Sequence, residues 1–322
     1  MPNLIGRYLL LFCALLSIVL AADSTDNQQP IGGYIPKKFP AFVALAVYGQ
    51  SAFICWIQYF RFGRPSYMLT LTLGMTGMSV GFALRILLAG SPYNETIYIV
   101  EDLFILLSPC AFLATDYVIF SRLASTFDVN VVSSTLLIRP GWLVRIFVWS
   151  DVITFFVQAT GGSMETSHNV NAGKLGTKVS MVGLGLQLVS FLFFTLLLIV
   201  WGWRIKSRFP NLWHAAHQDR TPFKILKKDP SSNWRLLFWT MCFTCVGILI
   251  RSGFRIAEFA GGYNGYLAEH EGYFYLFDSL ALWVTMSLYC FVWPPRFLEP
   301  HTDGSGIKMA GRMDPSREFL NV

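Results

Sequence analysis

Residues 234–259 read WRLLFWTMCFTCVGILIRSGFRIAEF. From Leu236 to Ile250 the run holds no charged residue. The stretch is long enough to span a bilayer, which takes about 20 predominantly apolar residues in a helix. Near its end come Arg251, Arg255 and Glu258, spaced i, i+4, i+7 and therefore on one helix face. One segment is thus both a membrane span and a carrier of three charges, and the rest of the chain has to be read with both facts in view.

Six further runs have the same apolar character: Phe39–Phe60, Tyr67–Gly90, Ile97–Phe120, Trp142–Thr160, Thr177–Trp203 and Tyr273–Trp293. With Trp234–Phe259 they make seven predicted spans, and the Pro294–Pro295 pair stops the last. Composition agrees. Of 322 residues 54% are hydrophobic and only 14% are charged, against about 25% in soluble domains. Mean hydropathy is +0.48, which leaves too little polar surface to cover a globule. Soluble enzymes, nucleic-acid binders and secreted disulfide scaffolds are excluded, and an all-α polytopic membrane protein, a seven-transmembrane-helix bundle, is expected.

Basic residues fix the expected orientation. Arg61 and Arg64 lie after helix one, and Arg122, Arg139 and Arg145 around the loop after helix three. Arg204, Lys206, Arg208, Arg220, Lys224, Lys227, Lys228 and Arg235 flank or fill the loop after helix five, and Arg296, Lys308, Arg312 and Arg317 follow helix seven. Against these seventeen, the other side has only Lys37, Lys38, Lys174 and Lys178. Cytoplasmic loops are the basic ones, so the N-terminus is expected outside and the C-terminus in the cytoplasm. The net charge of +6 has the same origin and implies no nucleic acid. Asn94-Glu95-Thr96, a glycosylation sequon with Asn94 as acceptor, falls in an outer loop on this topology.

The N-terminus MPNLIGRYLLLFCALLSIVLAADSTD has a basic residue, a short apolar run and small residues at Ala21 and Ala22, the layout of a secretory signal. The expected organisation is a cleaved signal at 1–22, an extracellular segment at 23–38, the seven-helix domain at 39–298 and a cytoplasmic tail at 299–322.

Charge inside a span is costly, so such residues should pair or line an aqueous cavity. Arg85, Glu101, Asp102, Arg251, Arg255, Glu258 and Asp278 all fall in the outer halves of helices two, three, six and seven. Three arginines and four carboxylates make a nearly balanced network. They can hold a charged headgroup, arginine taking phosphate or carboxylate and carboxylates taking an amine. They can equally lock four helices together, and the two roles are compatible. Asp116 and Lys178 are also within spans. A second polar stripe, Asp151, Thr154 and Gln158, runs along helix four at i, i+3, i+7, with Gln187 on helix five as the expected partner of Asp151. Asp151 could serve as structural glue or as a proton-coupling group. Pro109 should kink helix three.

Some chemistry is missing. None of the five histidines lies in a span, which argues against an embedded zinc hydrolase or a bis-histidine haem carrier. Helix seven has no lysine for a retinal Schiff base, and there is no Walker A motif. Cys242 and Cys245 form a CxxC without a second pair, and read as small apolar helix residues. No cofactor is expected, and no enzymatic activity.

Several stretches together resemble the fungal lipid-translocating exporter family, the RTA-like, aminocholesterol-resistance type. They are VGFALR ending at Arg85, LSPCAFLATDYVIFSRL with Pro109, Tyr117 and Arg122, and RIFVWSDVITFFVQATGG with Asp151, Gln158, Gly161 and Gly162. MVGLGLQLVSFLFF adds Gly183 and Gln187. The most specific is IRSGFRIAEFAGGYNGYLAEHEGYFYLFD, with Arg251, Arg255, Glu258, Gly262, Gly265, Glu271, Tyr275 and Asp278. The resemblance covers roughly 34 to 298. It departs from the family pattern at Trp293-Pro294, where His-Pro is usual, and at Asp116, which adds a charge. It implies a fungal plasma-membrane protein that exports or translocates amphiphilic lipids or drugs such as sphingoid bases, sterol-like amines or toxins, conferring resistance. Its partners would then be membrane lipids and an amphiphilic small molecule. The alternative is a seven-helix lipid sensor or receptor signalling through its basic cytoplasmic loops.

Overall fold

The computed structural model describes residues 37–91, 94–136, 138–165, 170–215, 233–261 and 271–298. The expected signal segment, the tail and most of the loop after helix five lie outside the described residues.

Seven helices are long and apolar enough to cross a membrane. They are α1 Lys38–Arg61, α2 Ser66–Leu88 (opening with a 3-10 turn), α3 Glu95–Ser125, α4 Pro140–Glu165, α5 Val170–Arg208, α6 Trp234–Gly261 and α7 Glu271–Phe291. The described residues contain no strand. All seven predicted spans are present. The largest correction is to α5, which starts at Val170 rather than Thr177 and runs on to Arg208. Its polar ends, with Asn171 and Lys174 at one and Lys206 and Arg208 at the other, continue the helix past the apolar window.

Each helix packs on the next, α7 closes back on α1, and α3 also touches α6. Small residues allow the close approaches. A Cβ added at Gly74, Gly77 or Gly81 of α2 would lie 2.6 Å from Phe112 Cε1, 2.6 Å from Ser108 Oγ and 2.9 Å from Ile105 Cγ1, all on α3. Gly161 and Gly183 do the same between α4 and α5, against Ser180 and Gln158. Lipid tails are as apolar as a protein core, so membrane helices associate through such close packing. Outward, Phe39, Phe53, Trp149, Ile153, Val189, Leu196 and Trp239 are exposed on several helices, as an apolar solvent requires.

Where the basic loops emerge, the core is aromatic. Tyr117, Phe120, Phe147, Phe194, Trp201, Trp213 and Trp234 meet edge to face or tilted from α3 through α6. Arg204 and Arg208 donate to the Thr135 and Ser134 carbonyls at the end of the short helix Val129–Thr135. Those carbonyls have no helical partner of their own.

Candidate functional site

Two ion-pair groups gather in the half of the bundle that holds the α2–α3 turn. In the first, Arg85 of α2 donates through Nη1 to Glu101 Oε1 of α3 at 2.7 Å and through Nη2 to Glu271 Oε1 of α7 at 3.0 Å. Its Nε reaches the Tyr275 hydroxyl at 3.2 Å. Glu271 also accepts from the Lys37 backbone amide at 3.0 Å, which brings in the start of α1. In the second, Asp278 Oδ1 of α7 accepts from Arg251 Nε and Arg255 Nε of α6, both at 2.8 Å, and Arg255 donates to Glu258 at 3.3 Å. Phe274 joins the groups, with the Arg85 and Arg255 guanidinium carbons 4.8 and 5.2 Å from its ring centroid. A ring face is negative and attracts cations.

Local backbone explains two of these contacts. Pro109 lies inside α3 and has no N–H to give the Ile105 carbonyl one turn back. Arg251 Nη2 donates to that carbonyl at 3.3 Å. In α7 the turn Phe274–Leu280 is π-helical, a widened geometry often found at functional sites. Asp278 sits within it with no solvent exposure, and Tyr48 of α1 donates to the adjoining Ser279 carbonyl at 2.8 Å.

Of the residues singled out from sequence, Arg85 and Glu101 are joined directly, as are Arg251, Arg255, Glu258 and Asp278. Asp102 stands apart. It is exposed, with no ion pair or hydrogen bond among the described residues, and its Oδ2 faces Gly162 of α4. Glu271 was not among the expected site residues because it precedes the apolar window. Its only sequence signal was its place in the stretch ending at Asp278. With it, four carboxylates pair with three arginines.

The second stripe is arranged otherwise than expected. Gln187 does not bond Asp151; Gln158 Nε2 donates to Gln187 Oε1 at 2.8 Å, and Gln187 Nε2 lies 3.7 Å from Cys110 Sγ. The register explains this. Gly161 packs on Ser180 and Phe147 on Phe194, which puts Asp151 about level with Ser190. Asp151 is 3% exposed, and neither carboxylate oxygen has a hydrogen-bond partner. The Tyr117 hydroxyl lies beside it, outside hydrogen-bond geometry, and the Cys110 thiol is also nearby. A charged side chain at this depth costs at least about 2.5–3.5 kcal/mol.

Each oxygen of Asp116 has a donor beside it, though the single Thr244 hydroxyl proton is shared with the Met241 carbonyl. Tyr289 and Thr244 donate to its two oxygens at 2.6 and 3.0 Å. Tyr289→Phe should therefore lower stability by about 2 kcal/mol, measured by thermal unfolding in detergent micelles, and Thr244→Val by less, since the Thr244 proton is shared with the Met241 carbonyl. Cys242 and Cys245 are free thiols. Asn94 caps α3, its Oδ1 accepting from the Ile97 amide at 3.1 Å. No group of three metal-ligating side chains occurs among the described residues.

Seven apolar helices around buried ion pairs define a multi-pass helical membrane protein. The chain belongs to the family described as RTA1 like protein, whose model matches residues 71–301. Three relatives from Saccharomyces cerevisiae place it further. It is 31% identical to protoporphyrin uptake protein 1 over 63% of this chain and 61% of that one. It is 28% identical to protein RTA1 over 73% and 68%. It is 27% identical to the sphingoid long-chain base transporter RSB1 over 51% and 48%. The matched stretch thus spans about three fifths of the first of these. No solved structure matches the chain.

Proposed function

We propose that this protein translocates amphiphilic lipids or drugs across the fungal plasma membrane, with its N-terminus outside, Asn94 open to glycosylation, and resistance to such compounds as the outcome. The observation that carries the reading is the charged cluster of α2, α3, α6 and α7, set in an otherwise apolar bundle with more carboxylates than arginines. An amphiphile needs apolar walls beside a few placed polar groups. The relatives' names are consistent with it, since a sphingoid base and a protoporphyrin each join an ionised group to a large apolar body. In this reading Asp278, Arg251, Arg255 and Glu258 form the anchor. Arg85, Glu101 and Asp102 flank it, with Asp151 and Gln158 deeper on the path.

The test is flux of a labelled sphingoid base across proteoliposomes containing only this chain, with Asp278→Asn alongside. Wild-type flux, reduced at least about tenfold in a monodisperse Asp278→Asn protein, is the expected result. No flux in folded wild-type protein with any of the sphingoid, sterol-amine or porphyrin probes would overturn the reading.

A further inference from the structure

Every acidic side chain of the spans except Asp102 and Asp151 is held by arginine, tyrosine or threonine among the described residues. Of the two, only Asp151 is buried. It forms part of the wall of a cavity of about 320 Å³ between α2, α3 and α4. Leu73, Val80, Leu107, Val152 and Phe156 make the other walls, and no lysine or arginine lines it. Leu73, Val80 and Phe156 are also exposed on the outer surface of the bundle. The cavity therefore opens sideways, toward lipid. Asp151 is eleven residues into α4, or roughly 16 Å along the helix, which puts it near the bilayer midplane. Its carboxylate oxygens are covered and face the Tyr117 hydroxyl outside the cavity. A cation entering the cavity would be met by a turn of the Asp151 side chain toward it, and that cation must arrive with its own apolar body.

We infer that the α2–α3–α4 cavity is a binding site, reached laterally from the bilayer, for a single-chain amphiphile whose head is a protonated amine, with Asp151 as its counter-ion. The inference rests on the translocation reading and gives it a midway station separate from the charged cluster. A phosphate or carboxylate head is refused there by like charge. An uncharged chain gains nothing from Asp151. The Thr70, Thr76 and Ser108 hydroxyls in the lining bond backbone carbonyls of their own helices, so the site offers one ionic anchor and apolar contact.

The test uses the purified full chain in phosphatidylcholine nanodiscs, with a diazirine-bearing dodecylamine and the matching dodecanol as photoprobes. The amine should label peptides of α2, α3 and α4 and be displaced by unlabelled dodecylamine, and the alcohol should label them weakly. Asp151→Asn should lower amine labelling at least about tenfold while keeping the wild-type melting temperature. Leu73→Trp, at a lipid-facing position that tolerates bulk, should block both probes. Nanodiscs containing phosphatidylethanolamine should not compete, because that amine carries two chains and a phosphate; competition there would assign the site to a membrane lipid and overturn the single-chain reading. Equal labelling by amine and alcohol would mean a filler for lipid tails and would also overturn it, as would labelling unchanged in Asp151→Asn. Vesicle flux separates the two readings. Flux that persists while groove labelling ignores Asp151 removes the station and leaves translocation standing.

Discussion

Arg85→Ala is expected to cost the folded protein about 3–5 kcal/mol, the range for breaking a buried ion pair from one side. The arginine is 7% exposed and serves two carboxylates, Glu101 and Glu271, on two different helices. Its loss leaves both without a cation where water does not reach. The companion variant Arg85→Met with Glu101→Gln and Glu271→Gln removes the orphaned charges as well, and should recover most of the stability. Detergent-titration unfolding curves of the three proteins check this. An Arg85→Ala curve that overlays wild type would mean that the carboxylates are satisfied some other way.

Gly247→Leu should be as damaging, for a steric reason. A Cβ at Gly247 of α6 would fall on the side chain of Thr285 of α7, contacting its Oγ1 and Cγ2. Threonine is short and stiff at χ1, so it cannot swing clear, and α6 and α7 must separate. Overpacking of this kind costs about 3 kcal/mol, and it would also part Arg251 from Asp278. Gly253, six residues on in the same helix, has nothing within 4 Å of its added Cβ. Gly253→Ala should leave the protein as stable as wild type or raise it by up to about 1 kcal/mol through helix propensity. Melting temperatures of the two variants read the contrast directly. A neutral Gly247→Leu would show that α6 and α7 are not held at this spacing.

The seven spans were legible because length and apolar content are summed quantities that survive errors at single positions. Helix ends were less so, as α5 shows: a helix continues through Lys174 and Lys206 although hydropathy ends between them. Arg251, Arg255 and Glu258 could be placed on one face by spacing alone, and Asp278 by its matching depth. Glu271 could not, since it lies at the first residue of α7, where a hydropathy window sees a loop. The expected Asp151–Gln187 bond failed because depth alone does not set the register between two helices. That register is set by Gly161 and Gly183, whose missing side chains decide which residues come level. Pairing Pro109 with Arg251 through the Ile105 carbonyl needed two distant helices at once, which no local pattern holds.

The order of the ion pairs along the chain bears on how the protein enters the membrane during synthesis. Arg85 meets Glu101 16 residues later, and Arg251 and Arg255 meet Asp278 27 and 23 residues later. In each case the cation emerges first and its counter-ion arrives in the next helix. Each pair can therefore close within a helical hairpin, α2 with α3 and α6 with α7, before either helix faces lipid alone. Each hairpin then partitions with its arginines already paired, and arginines that would hinder insertion of a single helix are carried in with the partner that follows them.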